Sequence, residues 1–183
     1  NNAGDAFVLA RRLVCLDRRV RVFLLEQETA YAGASAKNLQ ILKKMRARVS
    51  HLEAASDLGE FFTSSNGPFT VIDGILGTGL KGELEGKYYD VVELINAQRF
   101  TEVISLDIPS GVNGESGVIH GTSILATTTI SFGFPKLGHF LPPGAGRRGD
   151  LINVDISLPP KFRKEGDKFL LMRGPLANML KER

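Results

Sequence analysis

The sequence of 183 residues predicts an α/β fold built on a parallel β-sheet that helices cover on both faces. Three observations lead to this prediction. Strand-type and helix-type segments alternate along the chain, the strands are near-continuous runs of Val, Ile and Leu, and the helical segments are amphipathic. A chain of this length is also large enough to bury a core as one domain.

The first half of the chain alternates helix and strand. Residues 1–5 are turn-type sequence, and the apolar spacing of three and four that follows predicts a helix over 6–14. Asp5 at the entrance of this helix complements its dipole. The other elements predicted here are a strand at 20–25, a helix at 35–46 capped by Ser35, a short strand at 49–52 and a helix at 54–62.

The second half continues the alternation and supplies the most apolar strands. Strands are predicted at 69–73, 102–107, 128–132 and 151–156, with a helix at 88–96 and a Gly/Pro-rich stretch over 133–149. We assign residues 1–165 to one domain and residues 166–183 to a tail or linker, with a helix over 175–181.

The composition excludes several classes of protein. A single cysteine, Cys15, rules out a disulfide framework and indicates a reducing compartment, and after an amphipathic helix it is predicted to be a small core residue. No apolar run is long enough for a membrane helix. A net charge of +3 is weak support for nucleic-acid binding, so the Arg and Lys clusters are interpreted as solvated faces. The histidines, His51, His120 and His139, have no metal-ligand spacing.

Polar and Gly-rich turns follow the predicted strands. Ligands bind beyond the carboxyl ends of parallel strands, and glycine lets backbone N–H groups approach a phosphate closely. Such turns occur at 1–5, at 73–82 and at 107–111. Each could also be only a tight connection, and neither a GxGxxG nor a Walker A motif is present.

Asp73 and Asp107 each end an apolar strand, just before a turn rich in Gly or Ser. One such carboxylate is commonly a turn former. Two together favour a hard-cation site or an acid/base pair. Asn2 and Ser110 could add neutral oxygens, so a monovalent cation fits as well as a divalent one.

Four ordered sequence blocks carry a resemblance to a known family. They are NNAGDAF at 1–7, D-x-x-x-G-T-G-L-x-G at 73–82, LDIPSG at 106–111, and TISFGFPKLG at 129–138 followed by PPG at 142–144. With these blocks the chain resembles the YjeF N-terminal domain family, the NAD(P)H-hydrate epimerases. Ala3 and Ala6 stand where the family loop has glycines. Ala3 would be strained if that position needs a positive φ, whereas Ala6 should be harmless.

The resemblance implies a Rossmann-like three-layer α/β/α fold and the epimerisation of hydrated NADH and NADPH (NADHX and NADPHX). It also implies a potassium ion held by Asn2, Asp73 and Ser110. We further expect Asp107 to be the acid/base residue, with Lys136 as a second catalytic candidate that could instead be a surface lysine. The expected substrate-binding residues are Asn1, Asn2, Ala3, Gly4, Asp5, Gly77, Thr78, Gly79, Leu80, Lys81, Gly82, Glu83 and Asp107.

The family also has a helical segment and a first strand ahead of the loop that begins here at Asn1. We therefore expect this chain to lack that N-terminal segment and its parallel sheet to contain a gap. The tail resembles the connector to an ADP/ATP-dependent NAD(P)HX dehydratase, which implies a fused or partner enzyme. A cytoplasmic location and a homodimer are expected as well, without nucleic-acid or membrane partners.

Two other functions remain open from the sequence. A scaffold module of the same fold would have no catalysis, but scaffold relatives tend to lose the ligand-site residues that this chain retains. An NAD-dependent oxidoreductase is disfavoured because GxGxxG is absent.

Overall fold

The computed structural model describes residues 2–65, 67–79, 82–98, 100 and 102–159. Four helices and six strands lie in these ranges. The helices are α1 (Asn2–Cys15), α2 (Gly33–Lys44), α3 (Ala55–Ser64) and α4 (Gly86–Ala97). The strands are β1 (Arg21–Leu24), β2 (Arg48–His51), β3 (Thr70–Asp73), β4 (Glu102–Leu106), β5 (Thr128–Phe132) and β6 (Asp150–Val154).

Among the described residues, all pairings between these six strands are parallel, as the strand composition predicts. The strands form two sheets, one with the order β1-β2 and one with the order β3-β4-β5-β6. In the part of the chain that the structure describes, β1 and β3 each have one edge without a strand partner. The expected parallel sheet is therefore present in two parts.

Helices pack on both faces of the strands, which makes three layers, although β6 is mostly exposed among the described residues. On one face Phe7 of α1 and Leu42 of α2 pack with Leu24 of β1. On the other face Val92 of α4 packs in a cluster that contains Val103 of β4. That second cluster also holds Leu25, Leu52 and Leu58 beside the smaller sheet, so a shared core joins the two sheets. Burial of this apolar surface is the main stabilising contribution.

Helix α1 begins earlier than the sequence predicts. The turn expected over 1–5 is wrong for the described residues, because Asn2 is already helical and its side-chain amide docks on the Leu76 carbonyl at 2.9 Å. Ala3 consequently lies in the first helical turn and is not among the described residues with a positive φ. The alanine that replaces the family's glycine is therefore unstrained.

Two further expectations about the helices are wrong. Ser35 does not cap α2, which begins at Gly33 after Ala32; the Ser35 side chain is buried against Gly4 of α1. Cys15, predicted to be a core residue, is exposed. It is the last residue of α1, and the residue before it, Val14, is the one that packs against the core. The helix expected over 175–181 lies outside the described residues.

Candidate active site

The two predicted carboxylates lie at neighbouring strand ends. Strand β3 ends at Asp73, whose partner in the parallel register is Ser105 of β4, and Asp107 follows the end of β4. The carboxyl ends of adjacent parallel strands meet at one edge of a sheet, which is where ligands bind in open α/β folds. Sheet pairing alone therefore brings the two sequence motifs together.

Asp73 is the centre of a buried hydrogen-bond network. Its side chain accepts from the Ser105 hydroxyl at 2.7 Å, from the Ser110 N–H at 2.9 Å and from the Ser110 hydroxyl at 2.5 Å. The Ile75 N–H donates a further bond at 3.2 Å. Burial raises the pKa of Asp73, while the bonds from Ser110, Ser105 and Ile75 act in the opposite direction.

Asn2 joins the same network through the Leu76 carbonyl. Its Nδ2 donates to that oxygen at 2.9 Å, and the Ser110 hydroxyl lies 3.0 Å from it. Asn2 Oδ1 is buried and has no hydrogen-bond partner among the described residues. Asn2 and Ser110 thus share one carbonyl, Ser110 links it to Asp73, and an unpartnered amide oxygen is available to a ligand.

The oxygen donors of this group fit a cation of low charge. They comprise one carboxylate, one amide, one hydroxyl and the Leu76 carbonyl, all hard ligands. Within the described ranges no cluster of three or more His, Cys, Asp or Glu side chains could hold a metal ion. A single negative charge among neutral oxygens suits a monovalent ion better than a transition metal.

Asp107 and Lys136 form an ion pair at the end of β4. Lys136 Nζ donates to Asp107 Oδ1, and it also lies 3.3 Å from the Ser131 hydroxyl and 3.4 Å from the Phe132 carbonyl. Each of the two charged side chains is 20% exposed. The interpretation of Lys136 as a surface lysine is therefore wrong, and the pair remains open to a ligand on one side.

The backbone of Asp107 is unusual because its φ is +65°. Only a few per cent of non-glycine residues adopt this left-handed conformation, and it is costly for an L-residue. The Asp107 N–H donates to the Ile130 carbonyl at 2.7 Å, and the Asp107 carbonyl is bonded to the His139 ring at 3.0 Å. These contacts on both sides hold the carboxylate against Lys136.

A cavity of about 560 Å³ opens beside Lys136. This volume lies within the range typical of small-molecule sites. Its described lining residues are Thr78, Gly79, Asn113, Gly114, Glu115, Lys136 and Leu137. Thr78 and Gly79 of the turn at 73–82 therefore line the same cavity as Lys136, the second catalytic candidate.

The Asn113–Glu115 segment was not predicted from the sequence. Asn113 Oδ1 accepts the N–H groups of Glu115 and Ser116, both at 2.9 Å, which closes a tight turn beside the cavity. The sequence signal for it is the Asn-Gly pair that follows the LDIPSG block. That pair indicates a turn but not which site the turn would face.

Two glycines allow loops to pack closely around the site. Gly111 has a φ of +97°, and a Cβ there would lie 2.0 Å from the Thr122 carbonyl oxygen. A Cβ on Gly138 would lie 2.2 Å from the Asn113 carbonyl oxygen. Both positions require glycine. Gly111 needs it for its backbone conformation and for the close approach of the Thr122 carbonyl, and Gly138 needs it for the close approach of the Asn113 carbonyl.

The predicted phosphate-binding residues are partly brought together. Asn2, Ala3, Gly4 and Asp5 form the first turn of α1, whose free N–H groups suit an anion. Partial burial raises the pKa of Asp5, and the Asp107 charge acts in the same direction. Gly82 and Glu83 are exposed and lie outside the described cavity lining.

Three residues expected to bind substrate, Asn1, Leu80 and Lys81, lie outside the described residues. Thr78 and Gly79 lie in the cavity lining, and Gly77 packs against Asn2, whose Cβ is 3.4 Å from where a Gly77 Cβ would be. The roles of these residues in binding stay predictions.

Comparison with protein families gives a match over most of the chain. Residues 1–138 match the model described as YjeF-related protein N-terminus. The chain belongs to this family. The resemblance seen in the four sequence blocks is confirmed, and the matched range contains Asn2, Asp73, Asp107, Ser110 and Lys136.

Curated relatives are similar over nearly the whole chain. A bifunctional NAD(P)H-hydrate repair enzyme Nnr from Thermofilum pendens is 40% identical over 161 residues, which are 87% of this chain and 30% of that protein. An NAD(P)H-hydrate epimerase from Rhodopirellula baltica is 34% identical over 90% of this chain and 66% of its own length. The chain thus spans about a third of the bifunctional relative and about two thirds of the epimerase.

A solved structure supports the fold. The crystal structure of yeast ynu0 superposes with a TM-score of 0.72, at 20% identity, over 92% of this chain and 69% of that one. The predicted α/β class with a parallel, helix-covered sheet is confirmed. In the described part of the chain, none of the helices is long and apolar enough to cross a membrane.

Proposed function

We propose that this chain interconverts the R and S forms of hydrated NADH and NADPH, with Asp107 and Lys136 at the reacting carbon. The observation that carries the proposal is the Asp107–Lys136 ion pair, whose lysine lines the cavity beside Thr78 and Gly79. The bifunctional repair enzyme from Thermofilum pendens and the epimerase from Rhodopirellula baltica, which are 40% and 34% identical to this chain, support the same activity.

The reaction needs the configuration of one ring carbon to be lost and restored. A proton from the Asp107–Lys136 pair passes to the hydroxyl oxygen, and the C–O bond breaks as water leaves with the bonding electrons. The ring nitrogen's lone pair forms a C=N bond, giving an iminium. Water then adds to the opposite face and returns its proton to the pair, so composition is unchanged.

The ion pair suits this exchange because one side chain can donate and the other can accept. Lys136 is held by Asp107, Ser131 and the Phe132 carbonyl, so its ammonium is fixed at the cavity wall. Asp107 is fixed in turn by the bonds to its backbone. Fixed groups avoid the reorganisation that free side chains would need during proton transfer.

The test follows conversion of one purified NADHX epimer into the other by chromatography, using the full chain. We expect Asp107→Asn to lower the rate about 100-fold or more, which is the usual range for loss of a general acid or base. Asp90→Asn, an exposed carboxylate of α4, is the matched control and should leave the rate unchanged. Full activity of a folded Asp107→Asn variant would exclude the assigned role.

We also propose that Asn2, Asp73 and Ser110 hold a potassium ion that orders the turn after β3. The buried, unpartnered Asn2 Oδ1 beside the Asp73–Ser110 pair supports this site. The ion would supply positive charge near bound phosphates. Thermal unfolding of the full chain in potassium and in tetramethylammonium buffers tests it, because only potassium should raise Tm, and Asn2→Leu should abolish the difference.

The relatives support a further proposal about the rest of the protein. Because the bifunctional relative is only 30% covered, we propose that the epimerase domain ends near residue 165 and that residues 166–183 lead to an NAD(P)HX dehydratase. Sequencing the complete reading frame tests this directly. A stop codon immediately after Arg183 together with the absence of a dehydratase gene partner would contradict it.

A further inference from the structure

His139 lies behind the ion pair and contacts the backbone of both its members. Its Nε2 lies 3.0 Å from the Asp107 carbonyl oxygen, and its Nδ1 lies 3.0 Å from the Lys136 backbone nitrogen. The residue is only 1% exposed. One buried ring thus bridges the main chain of two residues that are 29 positions apart.

The two contacts determine which nitrogen carries the proton. The Lys136 N–H can only donate, so Nδ1 must accept and be unprotonated. The Asp107 carbonyl can only accept, so Nε2 must carry hydrogen. Both bonds are satisfied by one neutral tautomer and not by an imidazolium. Burial is the largest influence and lowers the pKa of His139 to about 4, so the neutral form is favoured at neutral pH. The bond to the Asp107 carbonyl and the Asp107 charge act in the opposite direction, and the Lys136 and Arg148 charges act in the same direction as burial.

We propose that His139 is a positioning residue that fixes Asp107 and Lys136 at the separation and orientation their reaction requires. The inference deepens the proposed epimerase function and rests on it. His139 is not assigned a proton transfer, because both ring nitrogens are engaged by backbone groups. Its effect is exerted through the Asp107 carbonyl and the Lys136 N–H.

The left-handed backbone of Asp107 explains why such a bridge is needed. A φ of +65° at a non-glycine residue persists only where surrounding contacts impose it. The Ile130 carbonyl holds the N–H side of Asp107, and His139 holds the carbonyl side. Loss of the imidazole would leave the Asp107 carbonyl without this partner, so that the 107–108 peptide group would be held only through the bond from the Ile108 N–H to the Leu106 carbonyl at 2.8 Å. The Asp107 carboxylate would then shift relative to Lys136.

The main chain of His139 is held as well. Lys136 and His139 bracket a short 3-10 turn, Leu137–His139, in which the His139 N–H bonds the Lys136 carbonyl at 3.1 Å. The Arg148 Nε donates to the His139 carbonyl at 2.7 Å. His139 is therefore held at its N–H, at its carbonyl and at its ring. A side chain held in this way can keep the loop of Lys136 and the loop of Asp107 in a fixed relative position.

Three substitutions separate the two bonds. Asn at position 139 places an oxygen where Nδ1 is, so it keeps the bond from Lys136 but does not reach Asp107. Gln places an amide nitrogen near Nε2, so it keeps the bond to Asp107. Leu fills the space and makes neither bond. His139→Gln, His139→Asn and His139→Leu therefore form a matched set in the full chain.

We expect His139→Gln to keep kcat within about threefold, while His139→Asn and His139→Leu lose about tenfold or more with KM nearly unchanged. Rates are normalised to the folded fraction measured by circular dichroism. Equal losses in all three variants would indicate a merely structural role and overturn the proposal. Full activity of folded His139→Leu would overturn it as well.

Two readouts stand apart from activity. Long-range ¹H–¹⁵N spectra of the native chain should show the neutral Nε2–H tautomer of His139 between about pH 5 and pH 8. A crystal structure of His139→Leu should show the Asp107–Lys136 contact broken. If the native chain lacks epimerase activity, the proposed function fails, and these two measurements still decide whether His139 positions the pair: an intact contact or the other tautomer would overturn it.

Discussion

Ser110 meets the Asp73 carboxylate twice, with its hydroxyl donating to Oδ1 at 2.5 Å and its backbone N–H donating to Oδ2 at 2.9 Å. The two residues are 37 positions apart and belong to turns after different strands. Each is 1% exposed, so solvent contributes little to screening the contact. This pair joins the turn after β3 to the turn after β4.

The first prediction concerns this pair. Asp73→Asn places an amide nitrogen where the carboxylate accepts from Ser105 and Ser110, so at least one buried donor loses its acceptor. We expect the free energy of unfolding to fall by about 2–4 kcal/mol. Urea unfolding of the full chain measures it, with exposed Asp90→Asn as the control at less than about 0.5 kcal/mol. If Asp73→Asn were as stable as Asp90→Asn, the buried hydrogen bonds of Asp73 would not stabilise the chain.

The second prediction contrasts two glycines near the site. At Gly111 an alanine would require a φ of +97° and a Cβ 2.0 Å from the Thr122 carbonyl oxygen. Gly111→Ala should therefore cost more than about 3 kcal/mol in the free energy of unfolding.

Gly114 is the matched comparison because the three atoms nearest to its Cβ would all belong to side chains, with Thr78 Cγ2 at 2.9 Å and Lys136 Cγ at 3.6 Å. The Thr78 side chain is exposed and can rotate, so Gly114→Ala should cost less than about 1 kcal/mol while raising KM about threefold by narrowing the cavity. Unfolding curves and initial rates measure both effects. An unchanged KM for Gly114→Ala would show that the substrate does not contact the part of the cavity lined by Gly114.

The third prediction is a pH dependence of stability that comes from His139. Its pKa falls from 6.5 in the unfolded reference to about 4 in the folded chain, chiefly through burial. Between these values the unfolded state binds more protons than the folded state, so stability rises with pH. The contribution is fully present above about pH 6.5 and decreases by roughly 3 kcal/mol as pH falls to about 4.

Comparison of native protein with His139→Gln isolates this contribution, since carboxylates titrate in both proteins and cancel in the difference. The difference in unfolding free energy should shrink as pH falls from about 7 to about 4. Asp107, Lys136 and Arg148 are the charged groups that act on the ring. If the unfolding free energies of the native protein and His139→Gln changed in parallel between about pH 7 and about pH 4, His139 would not be held neutral in the folded chain.

The fourth prediction concerns the alanine in the first turn of α1. Ala3 has an ordinary helical conformation and packs against the cluster that contains Phe7. Restoring the family's glycine by Ala3→Gly should relieve no strain and should destabilise the chain by about 1 kcal/mol. Calorimetric titration with NADP should give the same Kd within about twofold. Binding at least tenfold tighter would mean that the methyl group obstructs the phosphate.

Local sequence patterns predicted the strands around the site well. β5 was predicted with its observed bounds, and the other strand predictions differ from the structure by a few residues at their ends. Apolar runs define buried parallel strands because every residue of such a strand faces a covered layer. Sequence also placed Asp73 and Asp107 at strand ends, because a polar residue that follows an apolar run is a local signal.

Helix boundaries were harder to predict because they depended on contacts with distant parts of the chain. The start of α1 is stabilised by the bond between Asn2 and Leu76, which are 74 positions apart. Ser35 has the chemistry of an N-cap, but its packing against Gly4 places it inside α2. Propensity describes a residue's preference in isolation, and tertiary packing overrides it at such positions.

The sequence by itself determined the alternation of strands and helices, the family, and the identities of the polar residues at the strand ends. These properties depend only on residues that are close together in the chain and on short motifs. Only the tertiary structure decided that Lys136 pairs with Asp107, that Asn113 and Glu115 line the same cavity, and that His139 bridges the pair. Those relationships arise when separate loops converge at one sheet edge, and their geometry depends on backbone conformations such as the left-handed Asp107 that local sequence does not specify.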